Sequence, residues 1–391
     1  MIIMKKSFKT NVLLLISSLL VGGALAEGAL RILGYYGKNF VRADLTRGWA
    51  LAPGTEGWWT EEGRSYVRIN DDGLRDEEHA LTKSPGVVRI AVLGDSYTEA
   101  RQVPVEKTFW KVLEHSLESC SRLQGKTAEV INFGVTGYGT AQELLTLRNK
   151  VWLYNPDVII LAVFTGNDIT DNSTLSQHTS PPRPYFVFKD GRSVLDKSYL
   201  EDPGFRFRTS IIGNLVYAAI NHSRLIQLVD SVRRAQHRDT LPQTLMPGGE
   251  VGLDKMVYVE PTTGMWQDAW RITEALLSMM YHEVRDHGKQ FLLVTLSNSI
   301  QVNPDQRQRE RFAERLGIRD LLYPERRIEG FANAEGIPVM VLAPRLQRWA
   351  ELNKTCVHGF DNAEVCGGHW NEYGHRLAGQ WIADKICQEM L

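Results

Sequence analysis

Five short runs of continuous apolar, largely β-branched residues, at 87–93, 130–133, 158–164, 291–296 and 339–342, constrain this chain more than any other feature. A strand with one wet face alternates apolar and polar residues, so a run without alternation belongs to a strand covered on both faces. Helical patterns lie between these runs. Phe109, Val112, Leu113 and Leu117 follow the first, and Leu144, Leu145, Leu147 and Val151 follow the second. Residues 266–284 precede the fourth with spacings of three and four, and Leu377, Trp381, Ile382 and Ile386 close the chain. Strand and helix in alternation predict an α/β fold: a five-stranded parallel sheet between two helical layers, with sites at the carboxyl ends of the strands.

The expected domain from 85 to 391 is interrupted at 170–262, where 180–208 is rich in Pro, Arg, Asp and aromatics and 210–234 reads as one long amphipathic helix. Residues 237–252 are polar with Pro and Gly and read as a loop, and the whole insertion is either a lid over the sheet's active edge or a surface excursion. Residues 36–84, with Trp58, Trp59 and the turn Asn70-Asp71-Asp72-Gly73, read as an N-terminal extension packed on the core.

Residues 1–35 stand apart. Lys5, Lys6 and Lys9 precede an apolar run from 12 to 26 that ends Ala24-Leu25-Ala26, the pattern of an export signal. Two outcomes remain open: cleavage after Ala26, or a retained membrane anchor prolonged through 29–37, with Glu27 and Arg31 pairing one helical turn apart. Both put the rest of the chain outside the cytoplasm. Disulfides are therefore permitted among Cys120, Cys356, Cys366 and Cys387. Cys356 and Cys366 close a short loop and are the favoured pair, leaving Cys120 with Cys387; the alternative is four buried thiols. With 45 basic against 46 acidic residues and no basic stripe, nucleic acid is not an expected partner.

Four loops are expected at the carboxyl edge or beside it. In Gly94-Asp95-Ser96, after the first strand, the serine's hydroxyl and its own backbone N–H both face whatever the hydroxyl attacks. After the second comes Asn132-Phe133-Gly134-Val135-Thr136-Gly137-Tyr138-Gly139, whose glycines let backbone approach a ligand. Thr165-Gly166-Asn167-Asp168 follows the third, with an amide able to donate to an oxyanion. Near the C-terminus, Asn371 reads as an N-cap, which puts His369 in the preceding loop as a candidate general base and His375 inside the last helix.

In that order the four motifs resemble the SGNH (GDSL-type) hydrolases, over about residues 85–390. The resemblance implies a three-layer flavodoxin-like fold with Ser96 as nucleophile, His369 as base, and an oxyanion hole from the N–H of Ser96, the N–H of Gly137 and the amide of Asn167. It also implies that neither a metal nor an organic cofactor is needed. With its N-terminal signal or anchor, the chain is similar to bacterial membrane-associated SGNH proteins and, less closely, to alginate O-acetyltransferase-type enzymes. Two departures stand out. Thr165 occupies the place of a family glycine, and Cys366 stands three residues before His369, where the family has an Asp that orients the imidazole. Asp361 or Glu364 folding back, or a backbone carbonyl alone, would have to replace it.

The expected activity is that of an exported serine esterase, or an acyltransferase, acting on O-acyl esters, with carbohydrate O-acetyl groups as the leading substrate. The rival is a non-catalytic carbohydrate-binding or assembly module that keeps the pocket without turnover, which the missing Asp favours.

Overall fold

The strand at Val158–Phe164 is buried at every residue, and its side chains divide between two cores. Ile159, Leu161 and Val163 enter one and Val158, Ile160 and Ala162 the other, as the two-residue period of a strand requires. The computed structural model describes residues 2–35, 37, 39–176, 181–189, 191–238 and 255–391. Residues 40–205 and 245–391 form one compact unit, and residues 1–39 with 206–244 form another. The insertion is thus divided between the two.

In the larger unit the sheet strands are β1 (Val87–Gly94), β2 (Thr127–Asn132), β3 (Val158–Phe164), β4 (Gln290–Leu296) and β5 (Val339–Val341), all parallel, in spatial order β5-β4-β3-β1-β2. That is the flavodoxin-like order, in which the chain steps first to one side of β1 and then to the other. In the smaller unit α1 spans Ile2–Ile32. Around the sheet, α2 (Phe109–Leu117), α8 (Ala343–Asn353) and α9 (Glu372–Glu389) cover one face. The other face is covered by α3 (Thr140–Asn149), α6 (Gly264–Asp286) and α7 (Tyr323–Glu335). The three-layer α/β architecture read from the sequence is the one observed.

The segment before β1 forms two antiparallel ribbons, Val41–Asp44 with Gly48–Leu51 and Glu56–Trp59 with Ser65–Arg68. Buried Arg75 ties this segment to the loop after β1, donating to the carbonyls of Glu99, Ala100 and Val103 at 2.6 Å each. Cys120–Cys387 and Cys356–Cys366 are both disulfides.

The expected helix over 210–234 is instead two, α4 (Ile211–His222) and α5 (Arg224–Arg238). Ser223 between them is extended, at φ −110° and ψ 117°, and its hydroxyl accepts the N–H of Ile226 at 3.2 Å. A serine that caps a new helix interrupts an apolar period that would otherwise run through. Residues 237–238 belong to α5, and the remainder of the loop read at 237–252 lies outside the described residues. Among the described residues, one helix segment, Phe8–Ile32, is long and apolar enough to cross a membrane.

Candidate active site

β1 ends at Gly94, and the chain turns at once into the helical turn Ser96–Glu99. Glycine is needed at 94 because a Cβ there would lie 2.1 Å from Thr98 Oγ1. Asp95 caps the turn, its Oδ1 accepting the N–H of Tyr97 at 2.9 Å. Burial pushes the Asp95 carboxyl up to about 6, against the N–H groups and the nearby His369, which pull it down. The turn closes at Ala100, in the left-handed region at φ 55°.

His369 reaches this turn from the strand Val365–Trp370, and its Nε2 accepts the Ser96 hydroxyl at 2.8 Å. On the other side of the ring stands Glu62. Its Oε2 accepts from His369 Nδ1 at 2.6 Å, and its Oε1 accepts the His369 backbone N–H at 2.7 Å. This bidentate grip fixes both the ring and the strand that carries it, and selects the tautomer with its proton on Nδ1. Burial alone would raise the Glu62 carboxyl. The hydrogen bonds and charge of His369, with a further hydrogen bond from Gln102, outweigh that and hold it below the usual carboxylate range.

Glu62 lies in the turn between Glu56–Trp59 and Ser65–Arg68, 307 residues from the histidine it touches. The turn is clasped from the histidine's own loop: Asn362 Oδ1 accepts the Gly63 N–H at 2.9 Å, and Asn362 Nδ2 donates to the carbonyls of Gly63 at 2.9 Å and Thr60 at 3.1 Å. Gly368 makes the approach possible, since at φ 64° a Cβ there would sit 2.1 Å from Glu62 Oε1. Its carbonyl is fixed as well, accepting from Tyr97 Oη at 3.2 Å and His358 Nδ1 at 2.7 Å. His358 Nε2 in turn accepts the Ser297 hydroxyl at 2.9 Å, and Ser297 Oγ accepts Trp370 Nε1–H at 2.8 Å. Burial drives His358 down to about 3, so it stays neutral within this chain of bonds.

Asp361 and Glu364, the acids expected to orient His369, are exposed and do not touch it. They lie in the turn between His358–Gly359 and Val365–Trp370, where the Cys356–Cys366 closure leaves them on the solvent side, with the Glu364 side chain lying over Gly367. His375 is buried in α9, stacked on Phe109 and accepting its N–H at 3.2 Å. Burial pushes it down to about 3, and it packs two helices together.

Gly137 and Asn167 follow β2 and β3, the two neighbours of β1 in the sheet. Gly137 is at φ 77°, in the left-handed region, and Trp49 packs beside it, its Cζ2 3.4 Å from where a Cβ would stand. The Gly137 loop is tied to the serine turn because Glu99 Oε2 accepts both the N–H of Thr136 at 2.6 Å and its hydroxyl at 2.5 Å. Trp49 Nε1 donates to the Thr136 carbonyl at 3.1 Å. Asn167 Oδ1 is buried without a hydrogen-bond partner among the described residues, while Asp168 Oδ2 holds the loop by accepting the Phe164 N–H at 2.9 Å. Thr165, where the sequence resemblance puts a glycine, donates to Glu325 Oε1 at 2.7 Å and accepts from Asn298 Nδ2 at 2.9 Å, a use for a hydroxyl that glycine lacks.

No family model matches the chain, and no curated protein matches it. Solved structures do. The chain is similar to G-D-S-L hydrolases and acetyl xylan esterases of known structure. An acetyl xylan esterase matches at 14% identity over 78% of this chain and 100% of its own, with a TM-score of 0.38. The lipase/acylhydrolase from Enterococcus faecalis matches at 13% identity over 77% of this chain and 95% of its own, with a TM-score of 0.37. A member of the lipolytic G-D-S-L family from Veillonella parvula matches at 12% identity over 78% and 100%, with a TM-score of 0.36. Likeness at this level leaves the chemistry to be argued from the side chains themselves.

Proposed function

We propose that the protein is a serine esterase whose catalytic triad is Ser96, His369 and Glu62. The observation that carries this reading is the pair of bonds on one imidazole, Ser96 Oγ on Nε2 at 2.8 Å and Glu62 on Nδ1 at 2.6 Å. As Ser96 Oγ attacks the acyl carbonyl, its proton passes to His369 Nε2, and Glu62 stabilises the imidazolium without taking a proton. The N–H groups of Ser96 and Gly137 and the Asn167 amide are the proposed donors to the oxyanion. When the tetrahedral species collapses, the ester C–O bond breaks and the alkoxide leaves with the proton from His369. Water, activated by the same base, then releases the acid and restores the serine. The binding-module reading drew its support from a missing orienting acid, and Glu62 in that position removes it.

The substrate we favour is an O-acetyl ester on carbohydrate outside the cytoplasm. The two disulfides suit an oxidising compartment, and α1 suits a retained anchor in the envelope. If an acceptor sugar replaces water in the second step, the same acyl-enzyme performs transfer, and adding oligosaccharide would divert acyl groups from acetate. Labelling with a fluorophosphonate probe and peptide mapping tests the nucleophile. The expected result is one adduct, on Ser96, absent in Ser96→Ala, which also loses hydrolysis of short-chain aryl esters while its Tm stays within about 2 °C. A Ser96→Ala enzyme with full turnover would exclude this assignment.

A further inference from the structure

The smaller unit contains a surface that the esterase reading does not use. α1 is joined to the α4–α5 junction by a cluster of charge-assisted bonds. Glu27 accepts from Ser223 Oγ at 2.9 Å and from the backbone N–H groups of Arg224 at 3.0 Å and Leu225 at 2.9 Å, capping α5 from another helix. Arg31 pairs with Glu27 at 2.8 Å and donates through Nη2 to the carbonyl of His222, the last residue of α4. The segment of α1 able to cross a membrane is Phe8–Ile32, and the charged Glu27 and Arg31 fall in its last turns, so this junction sits at the interfacial end of a membrane-crossing α1.

From that level α4 runs 12 residues, about 18 Å. Ile211, Ile212, Leu215 and Val216 are 81%, 65%, 66% and 44% exposed. At about 100° per residue they fall on one face of the helix. Phe207, one turn before α4, is 51% exposed between Arg206 and Arg208. An aliphatic stripe with flanking basic residues, held at a membrane boundary, has the composition of a helix that lies in the headgroup region.

We propose that α4 is an interfacial helix, its 211–216 stripe seated in the outer leaflet of the bilayer that α1 crosses. The proposal rests on the retained-anchor reading above. The occupant is lipid, because Arg206 and Arg208 flank the stripe with charge that suits anionic headgroups, and α4 is tied at His222 to the helix that is long and apolar enough to cross a bilayer.

The test uses the full chain in vesicles of phosphatidylcholine and phosphatidylglycerol. Since all four cysteines are in disulfides, a thiol introduced by Leu215→Cys is the one that reacts with an NBD probe. The expected result is blue-shifted emission, quenched roughly twofold or more by lipid spin-labelled near the top of the acyl chain, with a smaller effect at Asn214→Cys. Water-like, unquenched emission from a chain that still sediments with the vesicles would overturn the proposal and leave the anchor standing. Blue-shifted emission that spin-labelled lipid does not quench would overturn it too, showing protein, such as a second copy, over the stripe. A mature N-terminus at Glu27, with the chain released from membranes, would instead remove the anchor reading on which the proposal stands.

Discussion

The serine turn and the Glu62 turn meet at one imidazole, yet they are built in opposite ways. The first takes its shape largely from its own residues, with Gly94 giving the close approach, Asp95 the cap and Ala100 the left-handed exit, while Arg75 and Thr136 bond to it from outside. The second is shaped almost entirely from outside, by Asn362 on its backbone, Gln102 on its carboxylate and Gly368 opening space for it. A locally built turn survives changes elsewhere, whereas a turn assembled by distant contacts fails when either side moves. The bond from Glu62 to His369, and with it the proposed triad, therefore depends on the N-terminal segment staying docked against the sheet.

Substitutions at the imidazole's two sides are the strongest way to break this comparison. Glu62→Gln leaves one hydrogen bond but favours the wrong tautomer, and should lower kcat by about 10²- to 10⁴-fold. Asp361→Asn and Glu364→Gln should each stay within about twofold of the parent, since neither acid touches His369 and such surface changes are normally mild. Steady-state kinetics on a short-chain aryl ester checks all three, and a strong effect at Asp361 with none at Glu62 would reverse the assignment. Next in size, Gly368→Ala adds a methyl that meets Glu62 Oε1 and should lower kcat by about tenfold or more. Its Ser96 should still label, more slowly, with fluorophosphonate.

The smallest expected effect tests the docking of the N-terminal segment. His79 Nδ1 lies 2.8 Å from Glu129 Oε1 and its Nε2 lies 3.4 Å from Asp76, joining that segment to β2. Burial alone would lower the His79 pKa, but the hydrogen bonds and charge of Asp76 and Glu129 push it up to about 8. A raised folded-state pKa gives stability that is full below the unfolded value, near 6.5, and is lost as pH rises through about 8. Thermal unfolding should therefore show Tm falling by a few degrees between about pH 6.5 and 8.5, and His79→Gln should flatten that slope.

Most of the fold was legible because buried parallel strands write themselves as unbroken apolar runs; all five strands lie on the runs that announced them. The helix break at Ser223 was not, since a capping serine inside an amphipathic pattern looks like one more polar-face residue. Ser96 and His369 were picked out because each stands beside recognisable neighbours in sequence, Gly94-Asp95 before the serine and the cap Asn371 after the histidine, and the structure brings the two within 2.8 Å. Glu62 was not, because nothing in Thr60-Glu61-Glu62-Gly63 distinguishes a carboxylate aimed at a histidine from one in solvent. The available signal was indirect. Gly368 just before His369 leaves room for a group from elsewhere in the chain, and the absence of an acid at 366 left the question of what orients the imidazole open.

The claim that Glu62 acts through His369 is tested most directly by a double-mutant cycle on kcat/KM with Glu62→Gln and His369→Ala. If Glu62 serves only to orient and charge-stabilise the imidazole, the substitution costs about 10²- to 10⁴-fold in the parent and less than about twofold once His369 is alanine. Losses that multiply, with Glu62→Gln equally damaging in both backgrounds, would contradict the account and make Glu62 a support for the fold rather than a member of the triad.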